Sequence, residues 1–150
     1  MANEAVLGAV AHAVALEIAR GAARCLIEHG YAPLAELPLG NGRRADLAAL
    51  DRRGHVVIVE IKSSRADLAA DHKWPDYLDF CDAFYFAVAP AFPTDILPAG
   101  EGLILADRYG GEIVRPARER PMPAARRRAW LIRFARLGAF RLQGVIDPPL

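Results

Sequence analysis

The sequence predicts an α/β fold: a mixed central sheet flanked by helices, closed by a basic C-terminal helix. Three observations predict it. A long segment of helical apolar spacing opens the chain, short runs rich in β-branched and aromatic residues follow between turn residues, and arginines gather in a last helical segment.

With 150 residues the chain is expected to form a single domain, residues 1–150, large enough to bury one core. A composition 53% hydrophobic and 25% charged is that of an ordinary globular protein. No apolar run approaches the ~18 residues of a membrane span. The start, MANEAVLGAV, has no basic n-region and carries an acid at Glu4, which argues against a signal peptide. Cys25 and Cys81 give no disulfide framework, so the expected setting is cytoplasmic, with no membrane partner. The net charge of +1 hides a segregation. Nine acids against Lys73 and Arg108 fill 66–112, whereas nine arginines and the single acid Glu119 fill 115–141. Such asymmetry points to a polyanion-binding end.

Residues 3–30 read as a helix, with Asn3 as N-cap and Gly30 as its stop. Val6, Val10 and Val14 fall on its apolar stripe, and Glu17 borders that stripe. Ala35–Leu39 is a short strand broken by Pro38. A hairpin follows, with strands near 44–50 and 55–62; the second is apolar on both faces as far as Glu60, as a covered central strand would be. Ser64 with Asp67 three residues on caps a helix reaching about His72, and Pro75 opens another short helix. Ala83–Ala89 is a second buried strand, and Thr94–Leu97 is one helical turn inside a proline-rich connection. Gly102–Ala106 and Glu112–Arg115 form another hairpin. The last helix runs from about Pro123 to at least Leu137, with Trp130, Phe134 and Leu137 on its apolar stripe and Arg126, Arg133 and Arg136 on another face.

The chemistry gathers at the first hairpin. Glu60 and Lys62 project from one face of their strand because side chains alternate. Asp51-Arg52-Arg53-Gly54 suits a type I turn with Gly54 left-handed, in a loop that pairs Asp51 with His55. Counting back, Asp46 lies opposite Glu60; a slip of one residue would turn it to the other face. Two neighbouring carboxylates repel unless they share a proton or a cation. A hard divalent ion such as Mg²⁺ resolves the conflict and suits phosphodiester hydrolysis, with Asp46 and Glu60 holding the ion and Lys62 positioning the water.

Asp46 followed by Glu60-Ile61-Lys62 resembles the D-x(n)-E-x-K core of the PD-(D/E)XK nuclease superfamily. The stretch RADLAAL…VVIVEIKSSRADLAADHKWPDYLDFCDAFYFAV is similar to the MmcB family of bacterial DNA-repair proteins, over about Val10 to Arg141. The resemblance implies a restriction-endonuclease-like α-β-β-β-α-β core and a Mg²⁺-dependent DNA nuclease, with Mn²⁺ as a substitute ion. It implies DNA as partner, with other repair proteins beside it; the sequence leaves open whether the chain is a monomer or a homodimer. Asp46, Glu60 and Lys62 carry over as the catalytic positions, with the Ile61 carbonyl as a third metal ligand and Glu17 as a first-helix ligand. Lys73-x-x-x-Tyr77 stands where RecB-like relatives carry Q-x-x-x-Y, with lysine in place of glutamine. Arg43, Arg44, Arg52 and Arg53, with Arg126 and Arg133 of the last helix, are the expected phosphate contacts. The alternative is a non-catalytic nucleic-acid or protein-binding module on the same scaffold, since a fold does not guarantee an activity.

Overall fold

The hairpin closes as its turn residues require. Gly54 has φ +85 and donates its N–H to the Asp51 carbonyl at 3.1 Å, while the Asp51 carboxylate accepts from the N–H groups of Arg53 and His55. The register follows: Leu50 pairs with Val56 and Leu47 with Val59, the alignment that sets Asp46 opposite Glu60. The computed structural model describes residues 3–150; Met1 and Ala2, the first residues of the start read for a leader, lie outside it.

Six strands form one sheet in chain order: β1 (Ala32–Pro38), β2 (Arg44–Leu50), β3 (Val56–Ile61), β4 (Ala83–Val88), β5 (Gly102–Ala106) and β6 (Gly111–Arg115). β3, β4 and β5 run parallel to one another, and the outer neighbours pair antiparallel. With α1 (Glu4–Glu28) before β1 and α2 (Arg65–Ala70) between β3 and β4, the first elements follow the expected α-β-β-β-α-β order. A 3-10 helix, Trp74–Phe80, completes the crossover. All six residues of β3 are buried. Val57, Val59 and Ile61 pack with Ile18, Ala22, Cys25 and Leu26 of α1. Val56 and Ile58 face Phe84, Phe86, Tyr77 and Trp130, the last from α3 (Ala124–Ile146). Alternation on a strand covered from both sides thus explains its unbroken apolar run.

The apolar stripe of α1 differs from the expected one. Val6 and Val10 are more than half exposed, because the first half of the helix runs beyond the sheet; the buried stripe begins at Ile18. Small residues set that packing: a Cβ on Gly21 would lie 1.9 Å from the Asp107 carbonyl oxygen, so only glycine lets α1 come so near the β5–β6 turn. By length and composition α1 is long and apolar enough to cross a membrane, contrary to the expectation that no apolar run approaches that length; its second half packs on the sheet.

β1 starts three residues earlier than expected, and Pro38 ends it on the sheet's edge. Its ladder with β2 skips Glu36, which has φ +52, between the pairs Ala35–Leu47 and Leu37–Ala45. A non-glycine residue in that region costs about 1–3 kcal/mol and persists only where its surroundings hold it. Arg141 of α3 does so, donating to the carbonyls of Ala35 and Glu36. α3 itself runs well past Leu137, to Ile146.

Candidate functional site

Beyond the Leu47–Val59 pair, the carboxylates of the facing residues take over the hydrogen bonding between β2 and β3. Asp46 Oδ2 accepts from the Ile61 N–H at 2.8 Å, and Glu60 Oε1 accepts from the Asp46 N–H at 3.2 Å. One oxygen of each carboxylate is thereby fixed, and the second stays uncommitted to the backbone. The Ile61 carbonyl points to the same side as its N–H, as in any strand residue, and so toward Asp46.

Burial makes this pair unusual. Glu60 is 5% exposed. Burial first, and the Asp46 charge second, push its carboxyl up to about 9. Asp46 is also raised, by burial above all, against the pull of the Ile61 N–H, the Lys62 charge and a hydrogen bond with Glu60. Both shifts run the same way, favouring a proton on the pair, because neighbouring carboxylates shielded from water repel each other.

Lys62 is buried with them, but its ammonium points to a second pair of acids. Nζ lies 2.6 Å from Asp71 Oδ2 and 3.9 Å from Asp67 Oδ1. Asp71 is fixed in turn, because its Oδ1 accepts from the N–H groups of Lys73 and Trp74 at the mouth of the 3-10 helix. Burial alone would raise the Asp71 carboxyl; the Lys62 ammonium and these N–H groups outweigh it and hold it below its ordinary value. Asp67 accepts from the Ser63 N–H, while its own N–H is capped by Ser64 Oγ. From the sequence alone Asp67 is part of a helix cap and Asp71 has no evident role. The capping pattern was the available signal: a helix starting at Ser64 turns residues 67 and 71 onto one face, toward the strand it has just left.

These groups line a cleft of about 660 Å³. Asp46, Glu60, Ile61, Lys62 and Asp67 lie on one side, Ala35, Glu36 and Arg44 at the sheet edge, and His12, Ala15, Leu16 and Ala19 of α1 across it. Glu17 does not join them. It is exposed and lies outside the lining, because the packing at Gly21 and Ala22 turns the helix so that residues 12, 15, 16 and 19 face the cleft. His12 stands there instead, a residue with no motif around it in the sequence.

Among the expected phosphate contacts, Arg44 lines the cleft, 3.8 Å from Glu36, and Arg43 beside it pairs with Asp76 at 3.1 Å. Arg52 and Arg53 are in the turn at the opposite end of β3, about 15 Å along the strand from Glu60, and border a separate hollow with His29 and Gly30. Tyr77 is buried, and its hydroxyl donates to the Arg44 carbonyl, so it braces β2 rather than meeting a ligand. Lys73 is exposed. Arg126 and Arg133 border a small cavity with Phe80 and Trp130 on the α3 side of the sheet.

Among the described residues no three His, Cys, Asp or Glu side chains come close enough to hold a metal by themselves. What is present is the buried carboxylate of Glu60 and the half-buried one of Asp46, each with an oxygen uncommitted to the backbone, and a carbonyl turned toward them. That all-oxygen set fits a hard ion that keeps several waters, such as Mg²⁺, and does not fit zinc.

A family model described as "DNA repair protein MmcB-like" matches residues 3–149. A solved structure titled "SPO1766 protein of unknown function from Silicibacter pomeroyi" is similar at 43% identity and a TM-score of 0.87, over 89% of this chain and 92% of that one. A search of curated proteins finds no match.

Proposed function

The chain belongs to the MmcB-like DNA repair protein family, and from that premise we propose that it is a metal-dependent DNA nuclease whose active site is the Asp46–Glu60–Lys62 cleft. The observation that carries the reading is the pairing of the half-buried Asp46 carboxylate with the buried Glu60 carboxylate. Two neighbouring carboxyls, both pushed up by burial, are unfavourable in a fold that gains nothing from them, and they sit at the wall of an open cleft.

A bound divalent cation would supply charge to a phosphate oxygen and lower the pKa of a coordinated water. The uncommitted oxygens of Asp46 and Glu60 would hold that cation, with the Ile61 carbonyl beside them. The backbone hydrogen bonds at Ile61 and Asp46 fix both carboxylates in advance, so little reorganisation is needed when it arrives. Lys62, held at 2.6 Å by Asp71, would act as a donor that orients the attacking water or steadies the phosphate. The family supports DNA as the substrate, and Arg44 at the cleft rim supplies a phosphate contact.

Purified protein with Mg²⁺ or Mn²⁺ is expected to cut DNA. Glu60→Ala and Lys62→Ala should each lower the cutting rate by a thousandfold or more, on the order of a lost catalytic group, with DNA binding retained. Equal cutting by the variants would assign the activity to a contaminant and remove the reading. One observation favours a second reading, a binding module without catalysis: Lys62 is paired with Asp71 at 2.6 Å and is not free in the cleft. That reading expects no cutting of any DNA structure and no metal-dependent change in the protein.

A further inference from the structure

Resting on the nuclease reading of the cleft, we propose that one flank of α3 is a track for a DNA strand with unpaired bases, with phosphates on Arg133 and Arg136 and a base stacked on Phe140. α3 carries six arginines and no acid. Half of them are committed to groups of the chain itself. Arg127 is bound to Asp82, Arg126 to the Asp79 carbonyl and the Phe80 ring, and Arg141 to the carbonyls of Ala35 and Glu36. Arg133 and Arg136 make no ion pair among the described residues, and with Phe140 they follow one another at i, i+3 and i+7 along one flank. This is not the core face, which Trp130, Phe134 and Leu137 occupy.

Phe140 is 65% exposed, and the Arg136 guanidinium lies over its ring, 5.4 Å from the centroid, where it would sandwich a base's neighbouring phosphate against the same flank. A solvent-open ring beside unneutralised arginines is the pairing by which proteins hold single strands: the aromatic face takes a base, and the cations take the backbone. A paired, stacked base offers no free face, so the ring discriminates against intact duplex. An apolar partner would bury the arginines without a counter-charge, and the same flank of a second copy would repel it.

The track leads to the cleft. At the Arg133 end it borders Leu39 and Gly40 in the β1–β2 turn, and β2 leaves that turn carrying Arg44 and Asp46. At the other end Phe140 is followed by Arg141, which grips the carbonyls of Ala35 and Glu36, both in the cleft wall. A strand lying on this flank is therefore delivered to the rim of the Asp46–Glu60 site.

The test is fluorescence anisotropy of the full chain with labelled oligo(dT) and with a blunt duplex of equal length, in EDTA so that no cutting enters. The wild type should bind oligo(dT) more tightly than the duplex. Phe140→Ala should weaken oligo(dT) roughly tenfold and leave the duplex unchanged, and Phe140→Leu should do the same, because it restores apolar bulk but no ring face. Arg133→Ala with Arg136→Ala should weaken both and reduce the slope of log affinity against log salt by roughly 1.4 on oligo(dT). All three positions are on the surface, and circular dichroism melting should match wild type. Wild-type affinity in Phe140→Ala, full rescue by Phe140→Leu, or a Phe140→Ala effect on oligomer size instead of on DNA would each overturn the track. A protein that binds oligo(dT) through this flank and never cuts loses only the nuclease reading; one that cuts but ignores Phe140→Ala loses only the track.

Discussion

Asp82→Ala is expected to cost about 3–5 kcal/mol of stability, a fall in Tm of roughly 10 °C. Asp82 precedes β4 and joins three parts of the fold. Its carboxylate accepts from the Val56 N–H that starts β3, from the Met122 N–H in the linker, and twice from Arg127 of α3 at 2.6 Å. Its carbonyl accepts from the Arg120 N–H. Truncation leaves Arg127 without its counter-charge and two buried N–H groups without an acceptor. Burial alone would raise the Asp82 carboxyl; the Arg127 hydrogen bonds and the two N–H groups outweigh it and hold it down to about 2. A folded pKa depressed below the unfolded value means stability that is present above about pH 4 and lost as pH falls to about 2, here about 2 kcal/mol. Melting curves should show the Asp82→Ala deficit at pH 7 shrink toward pH 2, while exposed Asp95→Asn stays within a degree or two of wild type. A deficit independent of pH would contradict the ion-pair origin.

The Glu60 variant should move the other way. Its folded pKa is raised, so the folded state holds a proton that the unfolded state releases, and stability falls as pH rises from about 4.5 toward 9. Glu60→Gln keeps the shape without that requirement. At pH 8 and without metal it should melt higher than wild type, by roughly 5 °C or more, and the gap should close toward pH 4. Added Mn²⁺ should raise the wild-type Tm and leave that of Glu60→Gln alone. A variant less stable than wild type at pH 8 would mean that the pair is a structural bridge. A stabilising change that removes activity is the signature of a site kept for function.

The site's centre was legible because one turn decides it. Gly54 and Asp51 fix the loop, the loop fixes the register, and the register sets Asp46 against Glu60. The surroundings were less so, for a different reason in each case. Glu17 borders the helix stripe that periodicity suggests, but the rotation of α1 is set at Gly21 by the β5–β6 turn, far away in sequence, and that brings His12 to the cleft. Asp71 reads as the last acid of a short helix; its partner Lys62 appears only once the chain folds back across the strand end. Glu36 carries no signal at all for its positive φ, which the grip of Arg141 from α3 sustains. The end of α3 was hard to place because Phe140, Leu142, Val145 and Ile146 are apolar residues with no sheet beneath them. Asp82, the hub of the linker, is one acid before a strand, and nothing local distinguishes it from Asp79.

The most direct measurement is calorimetric titration of Mn²⁺ into wild type and into Asp46→Asn. A cation held between Asp46 and Glu60 predicts saturable binding to wild type with release of a proton, detected as a dependence of the heat on buffer, and no binding to Asp46→Asn at the same concentrations. Equal binding by the two proteins, or none by wild type at millimolar Mn²⁺, would contradict the metal site and the nuclease built on it.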